Sequence, residues 1–243
     1  MDPFVKKAIP LVGICLTVLA LFYVSVYLPP ESMFDYAPLL SFLLLFFMVL
    51  LFFLEFESAT LTSKEVALVG ILSAITAASR IPFAAVPSIQ PCTFLIIAAG
   101  LVFGPLSGAM VGALTPAVSN MFLGQGPWTV WQMVGWGMVG MVAGLIGTRR
   151  EEVSVTMIAV LGFIMGLAFS LFQDVGSWIW LYGLDPTKFL AVMSAGLPFT
   201  LLHAVGNVLF ALVLGKPVMF SFRRFQKRFH ISYKDHHELS AGS

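Results

Sequence analysis

The sequence predicts an all-α integral membrane protein of about eight transmembrane helices, and three observations carry that reading. Of its 243 residues, 59% are apolar and only 10% are charged, against about a quarter charged in a soluble domain. Mean hydropathy is +0.96, with 23 phenylalanines. Residues 81–148 form a stretch of 68 without a single Asp, Glu, Lys or Arg. Such segments have no polar face to turn to water, so their solvent is lipid. Soluble enzymes, nucleic-acid binders and disordered adaptors are excluded. The apolar runs are continuous rather than alternating, which excludes a β-barrel.

Each crossing needs roughly 20 apolar residues. Residues 8–28 make a first span, stopped by Pro29-Pro30-Glu31, and residues 37–54 a second, bounded by Asp35 and Glu55. The polar stretch 57–65 reads as a linker. Residues 66–79 form a third span, ended by Arg80-Ile81-Pro82. The uncharged block must then fold back on itself. Pro91, Gly104-Pro105 and Gly124-Gln125-Gly126-Pro127 cut it into spans at 93–103, 106–121 and 129–146. The first of these is short for a crossing, as helices buried inside membrane protein can be. Spans at 153–171 and 197–214 complete the set, with a long connection at 173–196.

Eleven of the thirteen basic residues fall on one side if the N-terminus is cytoplasmic; only Arg80 and Lys188 fall outside. The sequence therefore predicts a cell-membrane protein with both termini inside. In the tail, Arg223, Arg224, Lys227 and Arg228 are interleaved with Phe220, Phe222, Phe225 and Phe229. An RNA-binding arm would look similar, but a juxtamembrane segment lying on anionic lipid is the simpler reading. Cys15 and Cys92 lie in apolar runs with no metal-binding spacing, so they read as small buried residues and no metal or cofactor is expected. Lys6 and Lys7 precede an apolar run too long for a signal core, so no cleavable leader is expected.

Small residues mark close helix approaches. Gly70, Ala74 and Ala78 form one four-residue stripe, widened by Ser73 and Ala77. Spacing alone fits contact within the protein or with a partner. Gly108, Gly112, Pro116 and Asn120 form a second stripe; Trp128, Gln132, Trp136, Gly140 and Gly144 a third; Gly196, Thr200, His203 and Asn207 a fourth.

Polar groups inside a membrane are costly and face an interior, a cavity or each other. By the predicted orientation, Asn120, Gln125, Trp128, Trp131 and Gln132 gather at the outer leaflet. Gln173 and Asp174 lie at the outer end of the seventh span, and His203 and Asn207 in the outer half of the eighth. Interfacial belts explain Trp equally well, and His203 with Asn207 could be an interhelical pair. Convergence of amides, indoles, an imidazole and a carboxylate at one depth predicts a small-molecule site formed by these nine residues. Catalysis has little support: no G-x-S-x-G, H-E-x-x-H or P-loop occurs, and Asp174 with His203 lacks a placed nucleophile.

The runs "IIAAGLVFGPLSGAMVGALTPAVSN", "GQGPWTVWQM" and "GWGMVGMVAGLIG", with "HAVGN" at residues 203–207, resemble the substrate-binding S components of energy-coupling factor (ECF) vitamin transporters. The resemblance covers about residues 64–217. It implies a six-helix subunit that binds a vitamin from outside, joins a T subunit and two ATPase subunits, and rotates to release the vitamin inside. It implies T-subunit contact for the stripe Gly70, Ala74 and Ala78, because Ala74-x-x-x-Ala78 matches the family's alanine motif. The GQGPWT-x-WQM form is most similar to S components for cobalamin and its precursors, although the same residues would accept a flavin.

The expected organisation is therefore two additional N-terminal helices (1–57), a six-helix core (58–220) and a basic cytoplasmic tail (221–243). The expected function is vitamin capture by a subunit without its own ATPase site and without nucleic-acid partners. An ion-coupled secondary transporter, or an intramembrane enzyme or assembly protein, is the competing expectation.

Overall fold

The computed structural model describes residues 3–57, 63–150 and 153–241. These form eight α-helices: α1 (Pro3–Tyr27), α2 (Ser32–Glu57), α3 (Ser63–Arg80), α4 (Cys92–Phe103), α5 (Pro105–Leu123), α6 (Trp128–Gly147), α7 (Val155–Tyr182) and α8 (Pro186–Ala241). A short 3₁₀ turn, Ile81–Phe83, follows α3. Seven of the helices are long and apolar enough to cross a bilayer, and the fold is the expected multi-pass all-α membrane bundle. Most of the expected linker, residues 58–62, lies outside the described residues. The α1–α2, α3–α4, α5–α6 and α7–α8 connections occupy one end of the bundle, called distal below; the chain termini occupy the other.

Helix α4 is the short one. Its 12 residues span about 18 Å, well under the roughly 30 Å of a hydrocarbon core. It survives because protein surrounds it: α3, α5, α6, α7 and α8 all pack against it, and Phe94, Ile96, Ile97 and Ala98 are fully buried. A helix end in lipid must find partners for its free backbone groups, and α8 supplies them at both ends. The Asn207 Oδ1 accepts from the Phe94 N–H at 3.0 Å, and the Gln226 side chain donates to the Val102 carbonyl. Gly104 then turns the chain at φ 89°, a region open to glycine, and Pro105 opens α5.

The second and third glycine stripes meet each other. A Cβ added to Gly108 would run into the Gly140 carbonyl, and one added to Gly112 into the Trp136 carbonyl. Helices α5 and α6 thus pack backbone to backbone, with α4 against the same seam through Gly100. The first stripe behaves differently. Gly70, Ala74 and Ala78 are exposed beside Ile71 and Ile75, and nothing lies within 4 Å of a Cβ built on Gly70. Ser73 and Ala77, expected on the same face, are instead buried. They lie about 100° round the helix from Ala74 and Ala78, enough to turn them into the bundle.

The chain between residues 173 and 196 is not the long connection expected. Helix α7 runs on to Tyr182 and α8 starts at Pro186, with Gly183 in the left-handed conformation as the C-cap (φ 53°). The Trp178 indole donates to the Asp185 carbonyl at 2.7 Å, closing the turn. Gln173 and Asp174 were read as an end, but the apolar residues after them keep the helix packed. Helix α8 likewise continues past residue 220 to Ala241, through Pro198 and Pro217, so the basic tail extends the last helix.

The N-terminal hairpin lies against the rest of the bundle. Leu21, Val24, Met33, Ala37, Leu40 and Leu44 share one buried cluster with Ala113, Val130, Trp131, Met133 and Ile179. Phe22 meets the Trp131 ring edge-on at 5.2 Å, and Phe34 meets Trp180 at 6.2 Å.

Candidate functional site

The end of α3 places Arg80 inside the distal half of the bundle, 6% exposed. Its partners come from the α3–α4 connection and α5: Nε donates to Gln90 Oε1 at 2.9 Å, and Nη1 donates to Asn120 Oδ1 at 2.9 Å and to the Ser119 hydroxyl. Asn120 is therefore held with its oxygen toward the guanidinium. Its Nδ2 donates to Thr129 Oγ1 at 2.9 Å and to Gln132 Oε1 at 2.8 Å, both on α6. The guanidinium carbon stands 4.8 Å from the centroid of the Trp136 ring, a cation–π arrangement.

Trp136 joins this cluster to a second one. Its indole N–H donates to Thr93 Oγ1 at 2.8 Å, and Thr93 Oγ1 lies 2.9 Å from His203 Nε2. The other imidazole nitrogen, Nδ1, donates to the Ser88 carbonyl at 2.9 Å; a carbonyl only accepts, so that nitrogen carries the hydrogen. Ser88 presents this carbonyl from the left-handed region, φ 58°. Phe169 stacks on Trp136 at 4.3 Å and 9°, and lies 5.5 Å from the His203 ring. One connected set of polar and aromatic groups thus draws on α3, α4, α5, α6, α7 and α8.

This set lies below the distal rim. Trp136 is eight residues into α6, about 12 Å from its first residue, and His203 is seventeen residues into α8, about 26 Å along it. Helices α3 and α4 stop at that level while α6, α7 and α8 rise past it. The set forms a buried floor at that level, with Arg80 6%, His203 5% and Trp136 2% exposed. The α3–α4 segment borders this floor: Ser88 and Gln90 bond His203 and Arg80, Phe83 meets Phe210 edge-on at 5.3 Å, and Ile89 packs at Gly206.

Of the nine residues expected to form the site, Asn120, Gln132 and His203 join the connected set. Asn207 is next to it, but both its amide groups serve the backbone: Oδ1 on Phe94 and Nδ2 on the His203 carbonyl, 2.8 Å. Asp174 bonds Thr200 Oγ1 at 3.1 Å and presses on Gly196. Gln173, one turn beyond Phe169, has its Oε1 buried without a partner. Trp131 is 1% exposed between Phe22 and Phe172, and its indole nitrogen has no partner. Gln125 and Trp128 serve the α5–α6 turn, donating to the Ala117 and Gly124 carbonyls at 3.3 Å each, and both are exposed. The residues missed by sequence reasoning are Arg80, Gln90, Thr93, Ser119, Thr129 and Trp136. Arg80 carried a signal: it is one of two basic residues on the distal side, and it ends an apolar helix. Among the described residues, no group of three or more His, Cys, Asp or Glu is placed to hold a metal ion.

Residues 60–219 match the family model described as the ECF-type riboflavin transporter, S component. Among curated proteins, the chain is similar to a UPF0397 protein of Aliivibrio salmonicida, 25% identical over 185 residues, covering 69% of this chain and 94% of that protein. A UPF0397 protein of Vibrio atlanticus is 26% identical over 184 residues, and one of Aliivibrio fischeri 22% over 180, with the same coverage. No solved structure matches. The family match supports the S component expectation and not the cobalamin subgroup.

Proposed function

The chain belongs to the ECF-type riboflavin transporter S component family, and from that premise we propose that it captures a small vitamin-class molecule at its distal end and delivers it across the cell membrane. The distal end faces outward in this reading, which the distribution of basic residues supports. The observation that carries it is the connected buried floor, where Arg80, Asn120, Gln132, Thr93, Trp136 and His203 meet from five helices. A few polar groups among aromatic rings are the ordinary lining of a small-molecule site. The family description favours a flavin over the cobalamin ligand that the sequence motif suggested; both are large, stackable and rich in acceptors.

Uptake would require the family's T subunit and two ATPase subunits. The exposed face of Gly70, Ala74 and Ala78 fits close contact with another membrane helix, since small residues let backbones approach and packing then holds them. A proton-coupled carrier using Asp174 with His203 is less well supported. The carboxylate bonds Thr200, whereas the imidazole bonds Thr93 and Ser88.

Reconstitution tests the proposal. Proteoliposomes holding this chain with a T subunit and its ATPases should accumulate a radiolabelled flavin, riboflavin or its 5′-phosphate, only when ATP is enclosed, and the purified chain alone should quench its tryptophans on addition of that flavin. ATP-independent accumulation by the chain alone would sink it in favour of a secondary carrier.

A further inference from the structure

Arg80 is a permanent cation in a site otherwise built of neutral groups. Its hydrogen-bond partners, Gln90, Ser119 and Asn120, carry no charge, and the face it covers is an indole. Among the described residues no carboxylate pairs with it; the nearby helix α7 offers Asp174, which bonds Thr200 instead. The C-terminal end of α3 supplies roughly half a negative charge, which leaves the cation only partly compensated at 6% exposure.

The bonding pattern shows where compensation would go. Nε and Nη1 are engaged, while Nη2, with two donors, has no hydrogen-bond partner among the described residues. Each Nη2 hydrogen can donate one charge-assisted bond to a carboxylate or phosphate oxygen, and bonds of that kind are the strong ones. Asn120 and Trp136 hold the group from other sides, so its orientation is set before any ligand arrives. Helices α6, α7 and α8 continue past this level toward the distal end. Resting on the ligand-capture reading, we propose that Arg80 is the counter-ion seat of the site, and that the molecule bound there carries an anionic group, a carboxylate or a phosphate monoester, that completes the guanidinium.

Two matched probe pairs separate charge from ring chemistry: riboflavin against flavin mononucleotide, and nicotinamide against nicotinate. Thermal unfolding and tryptophan quenching of the full chain in detergent are measured with each, for the unaltered protein and for Arg80→Lys and Arg80→Gln. The expected result is that at least one anionic member binds tenfold or more tightly than its neutral counterpart. Arg80→Gln should abolish that preference and Arg80→Lys keep part of it. Should Arg80→Gln fail to fold, the preference of the unaltered protein and its reduction in Arg80→Lys still decide. Neutral members binding as well as anionic ones, no anionic member binding, or a preference that survives Arg80→Gln would each overturn the proposal. Riboflavin binding without anion preference would sink the counter-ion seat alone. Failure of the chain to join a T subunit and ATPases would sink the S component reading without altering the measured preference.

Discussion

Asn207 on α8 holds the first turn of α4: its Oδ1 accepts the Phe94 N–H at 3.0 Å, while its Nδ2 donates to the carbonyl of His203 one turn earlier. One of the nine side chains expected to contact ligand is thus a cap for a helix too short to anchor itself. Asn207→Ala should lower stability by about 1–3 kcal/mol, the cost of leaving a buried backbone donor unpaired. Asn207→Asp keeps the acceptor and should recover part of this. Thermal unfolding of the purified variants checks both, and equal melting of Asn207→Ala and the unaltered protein would contradict the capping role.

Asn120→Ala and Gln132→Ala should weaken ligand binding by roughly five- to 150-fold, equivalent to about 1–3 kcal/mol per lost buried bond. Gln125→Ala should bind as the unaltered protein does, because Gln125 serves the α5–α6 turn. Quenching titrations compare the three. A Gln125 effect matching that of Asn120 would move the site to the surface turn.

Trp136→Phe preserves an aromatic surface beneath Arg80 and against Phe169 but removes the donor to Thr93. Loss of one neutral hydrogen bond should cost about 0.5–1.5 kcal/mol of stability, and Trp136→Ala should cost more, near the 3–5 kcal/mol of a large core truncation. Denaturation midpoints order the pair; Trp136→Phe as damaging as Trp136→Ala would show that the indole N–H, not the ring, organises the floor.

Ala74→Trp and Ala78→Trp should abolish uptake and co-purification with the T subunit while leaving ligand binding by the isolated chain unchanged. Both positions are exposed, so the bulk has room in the lone subunit and none in a close helix contact. Binding lost together with uptake would place the stripe inside the fold.

Removal of residues 1–57 should leave a core that inserts and binds ligand, melting at a lower temperature. The deletion uncovers Val130, Trp131, Met133 and Ile179. Lipid solvates those apolar faces nearly as well as α1 and α2 do, since no hydrophobic force holds helices together inside a bilayer. Insertion and binding assays on the truncated chain check this, and a core that fails to insert would make the hairpin part of a single unit.

The crossings were legible because each apolar run is closed by Pro, Gly or charge, and those signals act locally. The α7–α8 turn was misplaced because Gln173 and Asp174 resemble an interfacial stop, whereas Thr200 and Gly196 on the facing helix accommodate the carboxylate. Arg80 was legible as a charge but was taken as a marker of topology; only the fold brings Ser119 and Asn120, 39 and 40 residues away, around it. The same holds for Asn207 and Phe94, separated by 113 positions. Spacing along one helix reveals shared faces. It carries no information on which backbone group another helix leaves exposed.

Because α8 grips α4 near both ends, through Asn207 and Gln226, α4 cannot shift along α8 without breaking one of those bonds. One helix thus carries both a member of the floor, His203, and, about 35 Å further along, the side chain that closes the last turn of α4, so a displacement of α8 is passed to α4 at both of its ends.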